Sequence, residues 1–278
     1  MPIRAIEFVR KLRGGAQAHL MKAEDGNFYA VKFQNNPQGR RVLVNEWMAQ
    51  AIFEQLRIAS AKVAAIEVTA DFLAAHPEVN LQRGSELVAP QPGWHFGSRL
   101  ADDPNRVGFY DFVPDQLLRD VVNLSDFLGA LVVDRWLANA DARQAVFFRA
   151  KIKQWAPSVP VHGAKVGFVG MMIDHGYTFG GPHWQFADAS GYGLYHRKAV
   201  YASVTGPESF EPWLEQVMHF PETVLEAARH SLPPQWVEGE EERLDEILHL
   251  LLLRRRKLPA LLELSRTGIA QPFPLWKA

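Results

Sequence analysis

The chain has 278 residues, 47% of them hydrophobic, with 30 Lys and Arg against 31 Asp and Glu and no cysteine. That length suits one large domain or two closely packed lobes around a full core. The balanced charge gives no global pull toward nucleic acid or an anionic membrane, and the lack of cysteine excludes disulfides and thiolate metal sites. The start, Met1-Pro-Ile-Arg-Ala-Ile-Glu7, lacks the apolar core of a signal peptide. No apolar run approaches the roughly 18 residues of a membrane helix, and the best candidate, Ile247–Leu253, contains His249 and ends in Arg254–Lys257. A cytoplasmic location is the default expectation.

Residues 1 to 100 read as β-rich with one helix. Ile6–Val9 is a short strand, and Arg13–His19 a turn carrying Gly14 and Gly15. Ala18–Ala23 and Phe28–Phe33 flank Glu24-Asp-Gly-Asn27, a strong hairpin signal. Apolar residues at Val44, Trp47, Met48, Ala51 and Ile52 predict an amphipathic helix over Val42–Gln55. Ala61–Val68 and Leu87–Pro90 read as strands, followed by Trp94–Ser98. Residues 101 to 278 read as mainly helical. Helix patterns cover Leu117–Val121 and Ser125–Ala138, with Ser125 as the predicted N-cap. Val146–Arg149 and Gly167–Ile173 form a strand pair, a loop rich in Gly and aromatics spans Gly176–Tyr201, and four helices follow between Phe210 and Arg266. The shift near residue 100 predicts an α+β fold of two lobes with a cleft between them.

Several polar residues stand where they can do chemistry. Lys32 ends an apolar strand, from which a fixed charge can reach phosphates. Glu46, on the following helix, is placed to hold Lys32 by an ion pair. A turn with Gly14, Gly15 and Gln17 lets backbone N–H groups approach phosphate oxygens. Asp141 lies between a helix and an apolar strand, where a phosphotransferase carries the carboxylate that orients an acceptor hydroxyl. Arg143 is placed to neutralise phosphate charge, and Gln144 to hydrogen-bond nearby. Asp174 follows the apolar Met171-Met-Ile173, and Mg2+ is the natural partner of a hard carboxylate beside bound phosphates. Each has a plainer reading: a solvated Lys or Glu, an ordinary Gly turn, surface contacts, a turn-capping Asp. The loop histidines show no metal-ligand spacing. The aromatic residues Trp94, Trp184, Trp213, Tyr192 and Tyr201 read as packing groups. The chain has no GxxxxGK[ST] and no GxGxxG.

The order Lys32, Glu46, Asp141, Asp174 is that of a protein-kinase-like fold. Val31-Lys-Phe33 with Asn45-Glu-Trp47, then Asp134-Arg-Trp with Asn139-Ala-Asp141-Ala-Arg-Gln-Ala-Val-Phe-Phe148, then Ile173-Asp-His-Gly176, resemble the HipA-like kinase domains, distant relatives of phosphoinositide kinases. The resemblance implies ATP and Mg2+ as cofactors. It implies a β-rich nucleotide-binding lobe over residues 1–100 and a helical catalytic lobe over 101–278. Lys32 would hold ATP phosphates, Glu46 would steady it, and the His95–Leu100 segment, with Phe96, Gly97 and Ser98, would read adenine through its backbone. Asp141 would be the catalytic base and Asp174 the magnesium ligand. In that family an Asn five residues after the base binds a second metal; here the position holds Val146, and Gln144 is the nearest polar substitute.

The expected function is ATP- and Mg2+-dependent transfer of a γ-phosphoryl group to a hydroxyl acceptor, a protein Ser or Thr among the candidates, with no nucleic-acid or membrane partner. One alternative is a nucleotide-binding pseudokinase, favoured by Val146. The other is a small-molecule kinase, whose usual His-Gly-Asp is replaced by Asn139-Ala-Asp141.

Overall fold

Alternating side chains in the first hundred residues close a small barrel. The computed structural model describes residues 1–277. Its N-terminal part contains β1 (Ile3–Lys11), β2 (His19–Ala23), β3 (Phe28–Lys32), helix α1 (Arg41–Gln55), β4 (Val63–Val68), α2 (Ala70–Ala75), β5 (Leu81–Arg83), β6 (Glu86–Val88) and β7 (Gly93–Arg99). The barrel order is β1-β2-β3-β7-β4, with β1 closing in parallel onto β4, while β5 and β6 form a separate hairpin. Gly26 takes φ +80° in the β2–β3 turn, a backbone angle that Gly adopts without steric cost. Met21, Tyr29, Val31, Phe33, Ile66 and Val68 fill the interior. Each such buried side chain contributes about 1.5–3 kcal/mol.

The C-terminal part is helical apart from one antiparallel ribbon. It contains α3 (Asp115–Leu118), α4 (Asp126–Leu137), β8 (Gln144–Lys151), α5 (Ile152–Trp155) and β9 (Val166–Ile173), with β8 paired to β9. After a segment of 3-10 turns come α6 (Trp213–Met218), α7 (Glu222–Ser231), α8 (Pro234–Val237), α9 (Glu241–Arg254) and α10 (Leu258–Thr267). All twelve residues of α4 are buried, as its nearly unbroken apolar sequence requires. Ser125 does sit at the N-cap, but in an αR conformation with no side-chain bond to the helix, so the expected hydroxyl cap is absent. The helix expected over Leu117–Val121 is a single turn that ends at Leu118.

Helix α1 departs most from its expected amphipathic character. Ten of its fifteen residues are buried. Its outer side is covered by α7, by α8 and by the turn Thr178–His183. Trp236 of α8 packs edge-on to Trp47 at 5.6 Å and donates its indole N–H to the Trp94 carbonyl at 2.8 Å. Arg40 binds the carbonyls of Gln235 and Glu238 at 2.9 and 2.7 Å, and Arg41 pairs with Glu240 at 2.6 Å. The helix therefore shares one continuous core with α4 and the C-terminal helices rather than with the barrel interior. Among the described residues, no helix is long and apolar enough to cross a membrane.

Candidate active site

Three segments far apart in sequence meet at the ammonium of Lys32. The residue ends β3, is 9% exposed, and contacts Glu46 Oε1 on α1 and, at 2.8 Å, Asp174 Oδ1 just past β9. The other Glu46 oxygen accepts the backbone N–H of His175 at 2.9 Å. Glu46 is 2% exposed, so the plainer reading of a solvent-facing helix Glu does not hold. Asp174 sits at φ +59°, a left-handed conformation rare for a non-Gly residue, in the sharp turn that leaves β9.

The electrostatics follow from one cation between two acids. Burial alone would lower the Lys32 pKa, but Glu46 and Asp174 outweigh it and push the value up. Burial would raise the Asp174 carboxyl, yet the Lys32 charge and hydrogen bond, with Arg143 beyond, hold it down at about 2. Glu46 is pushed up by its own burial, which Lys32 opposes and the Asp174 charge reinforces. Next to this cluster His175 is kept neutral, its pKa held far below normal by burial and by the adjacent Arg143.

The Asp141 loop begins where α4 stops. Ala138 takes a left-handed conformation at φ +48° and ends the helix. Asn139 then bridges back: its amide donates to Asp134 Oδ1 at 3.0 Å, and its Oδ1 accepts the Asp141 N–H at 3.2 Å. Asp141 is exposed, with Oδ1 accepting the Ala142 N–H at 2.7 Å. Arg143 is not available to phosphates as expected. It is fully buried, forks onto both oxygens of Asp134 at 2.7 and 2.5 Å, and donates to the Ile173 carbonyl at 2.7 Å and toward His175 Nδ1 at 3.1 Å. Its donors are spent inside the protein.

Two more expectations need correction. Gln17 takes φ +50°, donates its N–H to the Gly14 carbonyl, and binds the backbone of Gln82 at 2.8 and 2.6 Å with its side-chain amide. It fastens the Gly turn to β5, with both ends of its amide engaged by the Gln82 backbone. Gly14, at φ +127°, and Gly15 remain free of that role. A Cβ at Gly15 would lie 2.5 Å from the Gln38 amide nitrogen, the mobile end of that side chain, which would have to swing aside. His95, Phe96, Gly97 and Ser98 lie inside β7, flanked by β3 on one side and β4 on the other. Ladder bonds occupy their backbone groups, and His95 is buried with its pKa pulled down to about 4 by burial. The segment that leaves the sheet is Leu100–Asp103, which borders a cavity of about 460 Å³ also lined by Phe28, Phe148 and Ala150.

Gln144 opens β8 opposite Ile173, the residue before Asp174. Strand alternation puts it on the same face as Val146, two residues on, rather than the opposite one. Val146 lies against the apolar group formed by Phe148, Met171 and Ile173. Asn45, Asp134 and His175, quoted above only as residues of the resemblance, and Gly193 carry structural roles that the sequence did not assign. Asn45 donates to the carbonyls of Gly176, Thr178 and Gly181 at 2.7–3.2 Å and accepts the Trp184 indole N–H, so it shapes the turn after Asp174. Its only signal was its place beside Glu46. Gly193 gave none beyond being a Gly in a long loop.

The chain matches the family described as HipA-like kinase over residues 5–147. No curated protein matches it. Among solved structures, a Golgi casein kinase with Mn and ADP bound is 9% identical, with a TM-score of 0.48, covering 100% of this chain and 76% of its own. A second structure of a Golgi casein kinase is 9% identical with a TM-score of 0.47, covering 98% and 75%.

Proposed function

Since the chain belongs to the HipA-like kinase family, we propose that it is an ATP- and Mg2+-dependent phosphotransferase that moves a γ-phosphoryl group to a hydroxyl acceptor. The observation that carries the reading is Lys32, held between Glu46 and Asp174 where barrel, α1 and ribbon meet. Asp174 keeps about a third of its side chain exposed, at 35%. Among the described residues no set of three or more His, Cys, Asp or Glu is gathered to hold a metal alone. That suits Mg2+, which takes one or two carboxylates together with waters and substrate phosphates. Asp174 would hold it, with the Gln144 amide the next oxygen donor on that side.

Bound Mg2+ would neutralise charge on the β- and γ-phosphate oxygens. Lys32, no longer needed by Asp174, keeps Glu46 as its counter-ion and turns its remaining hydrogens to the α- and β-phosphates. Gly14 and Gly15 lie in the turn whose backbone approaches those phosphates. Leu100–Asp103, rather than the paired β7 residues, offers backbone groups to the base. Asp141 orients the acceptor hydroxyl and accepts its proton as the oxygen attacks the γ-phosphorus. The bond from that phosphorus to the β–γ bridging oxygen breaks, and ADP leaves.

Single-turnover assays with γ-labelled ATP and Mg2+, beside calorimetric titration of MgATP, test the proposal. The wild type is expected to bind MgATP and release or transfer label. Lys32→Met is expected to lose binding. Asp141→Asn is expected to bind normally and slow label transfer by roughly 10²–10⁴-fold. Undiminished transfer by Asp141→Asn sinks the role given to Asp141.

Val146 favours a second reading, a protein that binds nucleotide without transferring phosphate. Its side chain joins an apolar group where the family carries a metal-binding Asn. Stoichiometric MgATP binding with no label transfer in any arm would establish that reading instead.

A further inference from the structure

Arg143 touches, with one side chain, the parts of the site that must stay in register. It extends from the loop of the candidate base, two residues past Asp141. Its fork grips Asp134 at the end of α4, while Nη1 donates to the Ile173 carbonyl and lies against His175 Nδ1. Ile173 and His175 are the immediate neighbours of Asp174 on either side. The backbone N–H of Arg143 donates to the Leu194 carbonyl at 3.1 Å, and Gly193 donates to the Asp141 carbonyl at 3.0 Å. A Cβ at Gly193 would lie 2.2 Å from Asp134 Cβ, so this strand of the Gly-rich segment presses directly on the pair.

A fully buried Arg–Asp pair is a weak source of net stability, because desolvation offsets its attraction. What it supplies is geometry: a planar guanidinium that accepts only one arrangement of its acceptors. We propose that Arg143 is a positioning residue. Through Asp134, Ile173 and His175 it fixes the separation of the base Asp141 and the metal carboxylate Asp174, and it docks the Gly191–Tyr195 segment against the base. The proposal rests on the phosphotransferase reading for its purpose, but the link itself is a physical coupling between two loops that is measured separately. Arg143 does not reach substrate. Its loss loosens Asp174 and Asp141 together, although only the second lies on its own loop.

The test compares the full chain with Arg143→Lys, which keeps charge and length but loses the fork, and with Leu262→Ala, a cavity in α10 that lowers stability without touching the site. Mn2+ affinity in the presence of ADP is read from the free Mn2+ signal in electron paramagnetic resonance. Amide hydrogen exchange is followed at Ala140 and Arg143 on one loop and at His175 on the other. Thermal melting checks that each variant folds. Arg143→Lys is expected to weaken Mn2+ binding by about 10-fold or more, the usual effect of removing a group that orients a metal ligand. It is also expected to speed exchange in both loops, while Leu262→Ala shows wild-type Mn2+ affinity. If Arg143→Lys does not fold, Asp134→Asn, which keeps the shape of the acceptor, is put through the same measurements with the same expectations. Wild-type Mn2+ affinity in a folded variant of the pair, or faster exchange confined to the 140–143 loop, overturns the proposal. If the wild type itself binds no Mn2+ with ADP, the phosphotransferase reading falls, and the exchange data alone then decide whether the two loops are linked.

Discussion

Asp141 and Asp174, the proposed base and the proposed metal carboxylate, sit in opposite settings. The Asp141 side chain is exposed and bonds only within its own loop, so Asp141→Asn should melt close to wild type while slowing transfer. Lys32 and its two carboxylates are different. Lys32→Met leaves Glu46 buried without its counter-charge, which should cost about 3 kcal/mol or more of stability in addition to nucleotide binding; a denaturant melt beside the MgATP titration separates the two. Val146→Asn places an oxygen donor where the family resemblance leads one to expect a second metal ligand. Because Val146 is half-buried, opposite Met171 in the two-stranded ribbon, the variant is expected to fold and to raise single-turnover transfer. An unchanged rate would remove position 146 from the account of the metal site. At this scale the sequence was readable where a residue type and its distance from another are distinctive, as for Lys32 and Glu46. It was unreadable for Arg143. A cation beside an expected phosphate site looks catalytic until its partner is seen, and Asp134 was hidden in an apolar helix where nothing marked it as the acceptor.

Elements behaved in the same way. The strands and the long helices follow from alternation and from the 3.6-residue period. What escaped were pieces too short to carry a period, such as α2, β5 and α8, and one of these matters. Trp236 on α8 is almost fully buried, between Trp47 and Phe96. Trp236→Ala should cost about 3–5 kcal/mol and, by loosening α1 beneath it, weaken MgATP binding as well; the same pair of measurements reads both. Gly193→Ala addresses the other side of the site. Gly193 sits at φ +67° with Asp134 in the way of any Cβ, so the variant must move either the loop or the buried acid. Its expected signature is a fall in kcat together with weaker Mn2+ binding in the presence of ADP, because moving Asp134 disturbs the pair proposed to tie Asp141 to Asp174. The His95–Ser98 segment was misread for an element-scale reason. A strand bonded on both edges looks in sequence like a strand bonded on one, and only the closing of the barrel shows that its backbone is spent.

For the whole molecule, three buried histidines favour loss of stability in acid. His95 is pulled down to about 4 by burial, and His19 and His175 are also held below their usual value, mainly by burial. A His with a depressed folded pKa contributes stability that is fully present above its unfolded value near 6.5 and is lost as pH falls toward the folded value. For His95 that window runs from about 6.5 to about 4 and amounts to roughly 3 kcal/mol. The raised carboxylates Glu46, Asp126 and Asp134 pull the other way as they take up protons, so the net slope is smaller than three histidines alone would give. Melting temperatures taken at pH 7.5, 6 and 5 should fall steadily, and His95→Asn should flatten the fall; an unchanged slope would remove His95 from the account. The strand-rich N-terminal part and helical C-terminal part were legible from the pattern of strand and helix signals along the chain. The position of α1 was not. Its sequence looks amphipathic, yet α7, α8 and the Thr178–His183 turn cover its outer side, and contacts from so distant a part of the chain leave no local trace.

That enclosure bears on how small molecules could be made to block the protein. An inhibitor that works by prying a helix away from its cleft needs empty space behind the helix. Here α1 has neighbouring protein at its back, tied on by Arg40, Arg41 and Trp236. Compounds that depend on α1 swinging outward should therefore bind poorly.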